Sequence, residues 1–354
     1  MTGEAEGGDD TGGARPGGRR PRLLRAAGIV LGCALVAGAA GAGWAYRHLN
    51  HNITSVDISG ALGDDRPARG VTTPTPSGTG SATPLPSGAL NILVLGSDSR
   101  SGAENAELGG GGGEGARSDT AMVVHLDEGR TSATVVSIPR DTLVTRPACP
   151  AESGGTTPVA YGAMFNSAYA VGGPVCAVKT AEALTDVRMD HYVEIDFSGF
   201  ARLVDALGGV TVTTDEDIDD DRSRLRLEAG EHHLDGERAL ALARTRHGIG
   251  DGSDLGRIGL QQQLVKALLD RVSSMDLFTD PAELYEVADA VTGSLTTDTG
   301  LDSLGELVEL GRSLRGLDSG AVRTVTMPVV PAPYDANRVV ADEPEAGELW
   351  ESLK

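Results

Sequence analysis

The chain has 354 residues, and 51 acidic against 30 basic side chains give it a formal charge of -21. That length suits one large domain with appendages or two modest ones. The acidic balance argues against nucleic acid as a partner. Only Lys179, Lys266 and Lys354 are lysines, so the basic charge is almost entirely guanidinium.

Residues 1–25 are Gly-rich, lack apolar periodicity and end in RRPRLLR, the pattern of a disordered basic tail. Ala26 to Tyr46 carries no charge, and about 20 residues span a bilayer. Arg15, Arg19, Arg20, Arg22 and Arg25 precede this stretch and Arg47 follows, so the positive-inside rule predicts a cytoplasmic N-terminus and an extracellular remainder. A cleaved secretory signal is the competing reading, since AGAAGAG offers small residues to a peptidase. The length of the stretch and the interfacial placement of Trp44 and Tyr46 favour a retained single-pass anchor over 26–46. Residues 47–87, with VTTPTPSGTGSATPLPSG, read as a Pro/Ser/Thr/Gly-rich extracellular stalk, and 88–354 as one domain. Cys33 falls in the anchor, leaving Cys149 and Cys176 to pair in an oxidising compartment, ahead of a helix starting near Pro174.

Within the domain, NILVLGS is a short apolar run ended by Gly, and DTAMVVHL and ATVVSIP flank DEGR as a hairpin. ENAELGGGGGEGA (104–116) cannot pack a core and reads as a mobile loop. HYVEIDF alternates as a half-buried strand. Ser198 is the expected cap of the helix GFARLVDALGG, which Gly208 and Gly209 end before the strand VTVTT. Asp205 is expected to brace the site from behind. His232 and His233 fall in a predicted turn and are expected to be solvent-exposed. DGERALALAR, DLGRIGLQQQLVKALLDRV, PAELYEVADAVTGSL and LDSLGELVELGRSL have helical periodicity, and AVRTVTMPVV reads as a late strand. This mixed order predicts an α/β fold whose sheet is covered by helices on both faces.

The chemistry concentrates in GSDSR (96–100), RSDT (117–120), PRDT (139–142) and RTRHGIGDGSDLGR (244–257). Carboxylates hold divalent cations and guanidinium forks hold phosphate oxygens. Scattered surface ion pairs in an arginine-rich chain would look similar. Placement favours the functional reading: Arg244 and Arg246 flank a Gly-rich turn, and Arg117 and Arg140 fall at opposite ends of two predicted adjacent strands. His247 is open to either a phosphate or a surface role. No Ser-His-Asp, Walker or zinc-ligand pattern competes.

In NILVLGSDSR, RSDTAMVVHL, VVSIPRDT, FNSAYAVGG, HYVEIDFSGFARLVDALGGV and LDGERALALARTRHGIGDGSDLGRIGLQQQ, taken in this order, the chain resembles the LytR-CpsA-Psr family from about Leu90 to Leu277. Each motif alone is weak; six in order are strong. The resemblance implies membrane-anchored phosphotransferases that attach lipid-linked glycopolymers to the cell wall. It also implies a three-layer α/β/α sandwich with a mixed central sheet, an apolar pocket for the polyprenyl chain and a charged mouth for its pyrophosphate. By motif, Asp98 and Asp119 would hold Mg2+ (or Mn2+), with Arg117, Arg140, Arg244 and Arg246 on the pyrophosphate. Arg100, Asn166, Asp254, Arg257 and Gln261 would bind substrate. Two departures, Met164 with Phe165 before Asn166 and Leu260 where the family has Arg, are expected to alter head-group contacts and tune substrate choice.

The expected reaction is attack of a wall-polymer hydroxyl on the glycan-bearing phosphorus, with polyprenyl phosphate leaving. Asp98, Asp119, Asp141 and Asp254 all remain open as the general base, although Asp141 is expected to be structural. The expected partners are the polyprenyl-pyrophosphate-linked glycan, peptidoglycan or its attached glycan as acceptor, and membrane lipid. The alternatives are a non-catalytic lipid-glycan scaffold or envelope regulator, or a polyprenyl-pyrophosphate hydrolase.

Overall fold

The computed structural model describes residues 38–69, 88–97, 118–151, 154–246, 254–275, 280–314 and 317–354. The chain divides into two units, residues 1–47 and 48–354. In the first, residues 38–47 are helical, with Trp44 and Tyr46 exposed. The expected membrane span falls mostly outside the described residues, among which no helix is long and apolar enough to cross a membrane.

The second unit is built on a seven-stranded mixed sheet. Its strands are β1 (Thr54–Val56), β2 (Leu90–Ser97), β3 (Ser118–Leu126), β4 (Ala133–Ser137), β5 (His191–Asp196), β6 (Leu295–Asp298) and β7 (Val322–Thr326). Their spatial order is β1-β6-β5-β2-β3-β4-β7. The pairs β1/β6, β5/β2 and β4/β7 are parallel and the others antiparallel. The expected β3–β4 hairpin forms, and the Asp127 carboxylate holds its turn by accepting from the amides of Thr131 and Ser132. The late strand is β7, which lies on the outer side of β4.

The stalk expected over 47–87 is corrected in its first part. Thr54–Val56 forms an edge strand, Ile58 and Leu62 are buried in the main core, and Arg66 pairs with the buried Glu182. Residues 48–69 therefore belong to the folded unit. Three strand residues beside Ser, Asp and Gly carry too little periodicity to announce a strand. Residues 70–87 lie outside the described residues.

Helices pack on both faces because β2 alternates. Leu93 and Leu95 join one cluster with Val123, Val136 and residues of α1 (Ser167–Thr185), including Ala177 and Ala181. Leu90 and Ile92 join another with Met122, Val135 and the partly buried Val265 and Leu269 of α4 (Asp254–Ser274). Each buried leucine contributes about 2 kcal/mol. Between α1 and α4 in sequence come α2 (Phe197–Ala206) and α3 (Gly236–Arg244), while α5 (Pro281–Ser294), α6 (Leu304–Ser313) and α7 (Glu345–Glu351) follow.

Helix α1 breaks at Gly172 and Gly173 and resumes at Pro174, whose missing N–H suits a first turn. A Cβ on Gly172 would lie 2.3 Å from the Pro150 carbonyl. The bare glycine lets that segment approach, and Cys149 joins Cys176 in the expected disulfide, with Cα atoms 5.3 Å apart.

Two local expectations are corrected. The cap of α2 is Asp196, which accepts from the Gly199 amide at 2.7 Å; Ser198 lies inside the helix. In DFS the carboxylate, placed at the strand end, takes the capping position. His232 and His233 lie on a strand, Gly230–Leu234, paired antiparallel with Val210–Thr214, and not in a turn; His233 is exposed and His232 half-buried. The smaller hairpin Ile218–Asp220/Leu225–Leu227 is inserted between those two strands. Gly208 and Gly209 end α2 as expected, both at positive φ.

Candidate active site

The site gathers at the ends of β2, β3, α3 and α4. Asp119 is the second residue of β3, and Arg140 follows β4 through Ile138 and Pro139. Arg244 ends α3. Thr245 then turns extended, fully buried, its hydroxyl on the Ala241 carbonyl, and Arg246 emerges beyond it. Asp254, Arg257 and Gln261 open α4 at spacings of three and four, which set them on one face.

These residues form one network. Arg140 Nη1 donates to Asp119 Oδ1 at 2.5 Å and Arg246 Nη2 lies 3.6 Å from the same oxygen. Arg140 Nε is 3.4 Å from Asp254 and 3.7 Å from Asp141. Arg257, only 3 % exposed, pairs with Asp254 at 2.5 Å and donates to the Asp119 carbonyl at 3.0 Å. Gln261 Nε2 donates to Thr120 Oγ1 and to the Ala243 carbonyl, tying β3 to the end of α3. Arg244 stacks over the Phe197 ring at 4.7 Å.

Beneath this mouth lies a cavity of about 440 Å³. Phe200, Leu203, Leu240, Leu264, Leu268 and Leu295 give it an apolar interior, while Asp119, Arg244, Arg246, Arg257 and Gln261 line its polar end. Burial pushes the Arg257 guanidinium down to about 10, an effect that Arg246 and Arg140 reinforce and Asp254 opposes. Burial and then Arg140 lower Arg246 as well. Crowded, desolvated cations at the mouth of an apolar cavity are arranged for an anion attached to an apolar chain.

Several expected site residues stand elsewhere. Arg140 and Asp254 do not line the cavity; they hold Asp119 and Arg257 from behind. The Asn166 side chain does not line it either: the residue is buried at the start of α1, and its amide donates to the Arg140 carbonyl at 3.2 Å. Leu260 is buried in the apolar cluster of Val204, Leu242 and Leu264, and Phe165 in the main core, so these family departures sit in packing. Met164 pairs with Leu143 on a small antiparallel ladder. Asp98, Arg100, Arg117, His247 and the 104–116 loop lie outside the described residues.

Asp141 is flanked by Arg140 and Arg338, each 3.7 Å away, as its expected structural role requires. Asp205 accepts from the Gly236 amide at 2.8 Å and so fixes the start of α3, the helix that ends in Arg244. Asp220 is a site residue that the sequence did not announce. It is buried, accepts from the Arg246 amide at 2.9 Å and lines the cavity.

Among the described residues no group of three or more His, Cys, Asp or Glu side chains converges as a metal cage. Magnesium takes one or two carboxylates with phosphate oxygens and water completing its sphere, and Asp119 is the one expected ligand among the described residues. Its carboxylate lines the polar end of the cavity, a donor of the type that cation takes.

An apolar cavity closed by an arginine-carboxylate mouth on a mixed α/β sheet is the candidate active site. The chain belongs to the LytR-CpsA-Psr family: residues 45–354 match the LytR_cpsA_psr family. It is similar to the probable cell wall biosynthesis protein LcpB of Corynebacterium glutamicum, 35% identical over 75% of this chain and 61% of that protein. It is also similar to the polyisoprenyl-teichoic acid–peptidoglycan teichoic acid transferase TagV of Bacillus subtilis, 32% identical over 67% of this chain and 58% of that protein. The chain thus spans about three fifths of the length of these relatives. Among solved structures it resembles a LytR-Csp2A-Psr enzyme from Actinomyces oris, with TM-score 0.60, 25% identity and 85% and 95% coverage of the two chains. It also resembles TagT bound to LI-WTA, with TM-score 0.55, 26% identity and 75% and 89% coverage.

Proposed function

We propose that this protein is a phosphotransferase that moves a polyprenyl-pyrophosphate-linked glycopolymer onto a hydroxyl of peptidoglycan or its attached glycan, releasing polyprenyl phosphate. It works from a single-pass membrane anchor, N-terminus in the cytoplasm and catalytic domain outside. The observation that carries this reading is the union of an apolar interior with Arg244, Arg246 and Arg257 in one cavity. The teichoic acid transferase name of the TagV relative supports the reaction class.

In this reading Phe200, Leu203, Leu264 and Leu268 hold the prenyl chain, and the mouth arginines hold the pyrophosphate oxygens. The acceptor oxygen bonds to the glycan-bearing phosphorus while the bond from that phosphorus to the bridging oxygen breaks. The electron pair leaves with polyprenyl phosphate, and the hydroxyl proton passes to a carboxylate or water. The arginines meet the developing charge already in position, so little reorganisation is needed. Magnesium, or manganese, held by Asp98 and Asp119, would neutralise further pyrophosphate charge when bound.

The cavity assignment is tested by binding to the full-length chain. Leu203→Trp is expected to weaken long prenyl pyrophosphates and leave inorganic pyrophosphate unaffected, while Arg246→Ala weakens both. Affinity independent of prenyl length in the wild type would sink the reading.

A further inference from the structure

A second, polar groove of about 720 Å³ adjoins the prenyl cavity. Asp220, Arg222, Ser223, Leu240 and Arg244 line both, so the groove meets the cavity at its charged end. Arg224 and Arg238 line the groove alone.

In a chain with 51 acidic and 30 basic residues, arginines without acidic partners are unexpected. Yet the side chains of Arg222, Arg224 and Arg238 make no hydrogen bond or ion pair among the described residues. Most acids around them are already engaged. Asp221 pairs with Arg226 at 3.1 Å, the Asp235 carboxylate caps α3 through the Arg238 amide at 2.9 Å, and Asp220 accepts from the amides of Arg222 and Arg246. Glu237 is the remaining carboxylate of the lining.

Arg224 also holds a φ of 60°, a left-handed conformation that a β-carbon disfavours. The ladder pairs Ile218–Leu227, Asp219–Arg226 and Asp220–Leu225 impose that turn. The hairpin turn presents Arg222 and Arg224 at the rim of a groove that Arg238 lines from α3. Guanidinium forks match carboxylate and phosphate oxygens, and Glu237 can accept from hydroxyls.

We infer that this groove is a subsite for a saccharide bearing carboxylate or phosphate groups, gripped by Arg222, Arg224 and Arg238 beside the phosphorus that reacts. Its place in the reaction rests on the transfer reading above. The saccharide comes either from the acceptor or from the glycan of the donor.

The test uses the full-length chain in detergent micelles, with tetragalacturonate and maltotetraose as charged and neutral probes and farnesyl pyrophosphate as the cavity probe. The wild type is expected to prefer tetragalacturonate by about tenfold or more, and an Arg224→Gln/Arg238→Gln double variant to lose that preference. Both positions are exposed, and farnesyl pyrophosphate affinity should stay unchanged in the variant. Equal binding of the two saccharides, a preference surviving in the variant, or displacement of tetragalacturonate by bare farnesyl pyrophosphate would each overturn the inference. Farnesyl pyrophosphate failing to bind the wild type would instead overturn the transfer reading, leaving the saccharide preference to judge the groove. Competition by a prenyl pyrophosphate carrying an anionic glycan assigns the groove to the donor; simultaneous binding assigns it to the acceptor.

Discussion

The Arg246 amide donates to Asp220 Oδ2 at 2.9 Å, while Asp220 Oδ1 accepts from the Arg222 amide at the same distance. One buried carboxylate thereby holds the chain at the cavity mouth and the turn of the neighbouring hairpin. Asp220→Ala leaves both amides without this partner and is expected to cost about 2 kcal/mol of stability. It should also lower kcat/KM by about tenfold or more through misplacement of Arg246. Denaturant unfolding and steady-state kinetics check the two effects, and Asp220→Asn, which keeps one acceptor, should fall between.

Arg140 and Arg246 both approach Asp119, but only Arg246 lines the cavity. Arg246→Ala is therefore expected to raise the Kd for prenyl pyrophosphate by about tenfold or more. Arg140→Ala should act mainly on turnover, by releasing Asp119, and lower stability by about 1–2 kcal/mol through Asp254. Arg140→Lys should not restore activity, because an ammonium cannot span Asp119 and Asp254 as a planar fork does. Calorimetry on the three variants separates these effects.

Stability should depend on pH in two windows. Burial holds the His125 imidazole below its ordinary value, partly opposed by Asp127. The unfolded chain then takes up that proton first, so stability falls as pH drops below about 6.5. Burial would raise the Asp298 carboxyl, but His191 and the amides of Tyr192 and Gly300 hold it below its ordinary value. Its contribution is present above about pH 4 and is lost as pH falls further. His125→Gln should flatten the upper slope and Asp298→Asn the lower one in pH-resolved unfolding.

The Cys149–Cys176 disulfide links residues 27 apart. Chain-entropy reasoning gives it about 3.5 kcal/mol. Unfolding with and without reductant, and in a Cys149→Ser/Cys176→Ser variant, should show a loss of that order.

Leu260→Arg would not rebuild a head-group contact. Leu260 is 6 % exposed within an apolar cluster, and a guanidinium there should destabilise by about 3 kcal/mol or more. A folded variant of normal stability with tighter prenyl pyrophosphate binding would contradict that.

Periodicity and turn chemistry made most of the architecture legible. The β3–β4 hairpin, the C-terminal end of α2 at Gly208 and Gly209 and the helical periodicity of α4 all follow from local spacing. Asp220 was not legible, because in DEDIDDD it is one acid among many and only the tertiary fold sets it apart. Residues 54–56 were missed because a three-residue edge strand acquires its identity from its partner β6. The division between Arg246 in the cavity and Arg140 behind it needs three-dimensional packing, since both sit in equally suggestive motifs.

The most direct test incubates the full-length chain with a polyprenyl-pyrophosphate-linked saccharide and magnesium, with and without peptidoglycan, beside Asp119→Asn and Arg246→Ala. The account predicts metal-dependent release of polyprenyl phosphate, saccharide appearing on peptidoglycan, and loss of both products in the two variants. Tight binding of the lipid-linked saccharide with no release under any acceptor would contradict it and make the protein a binder of that lipid.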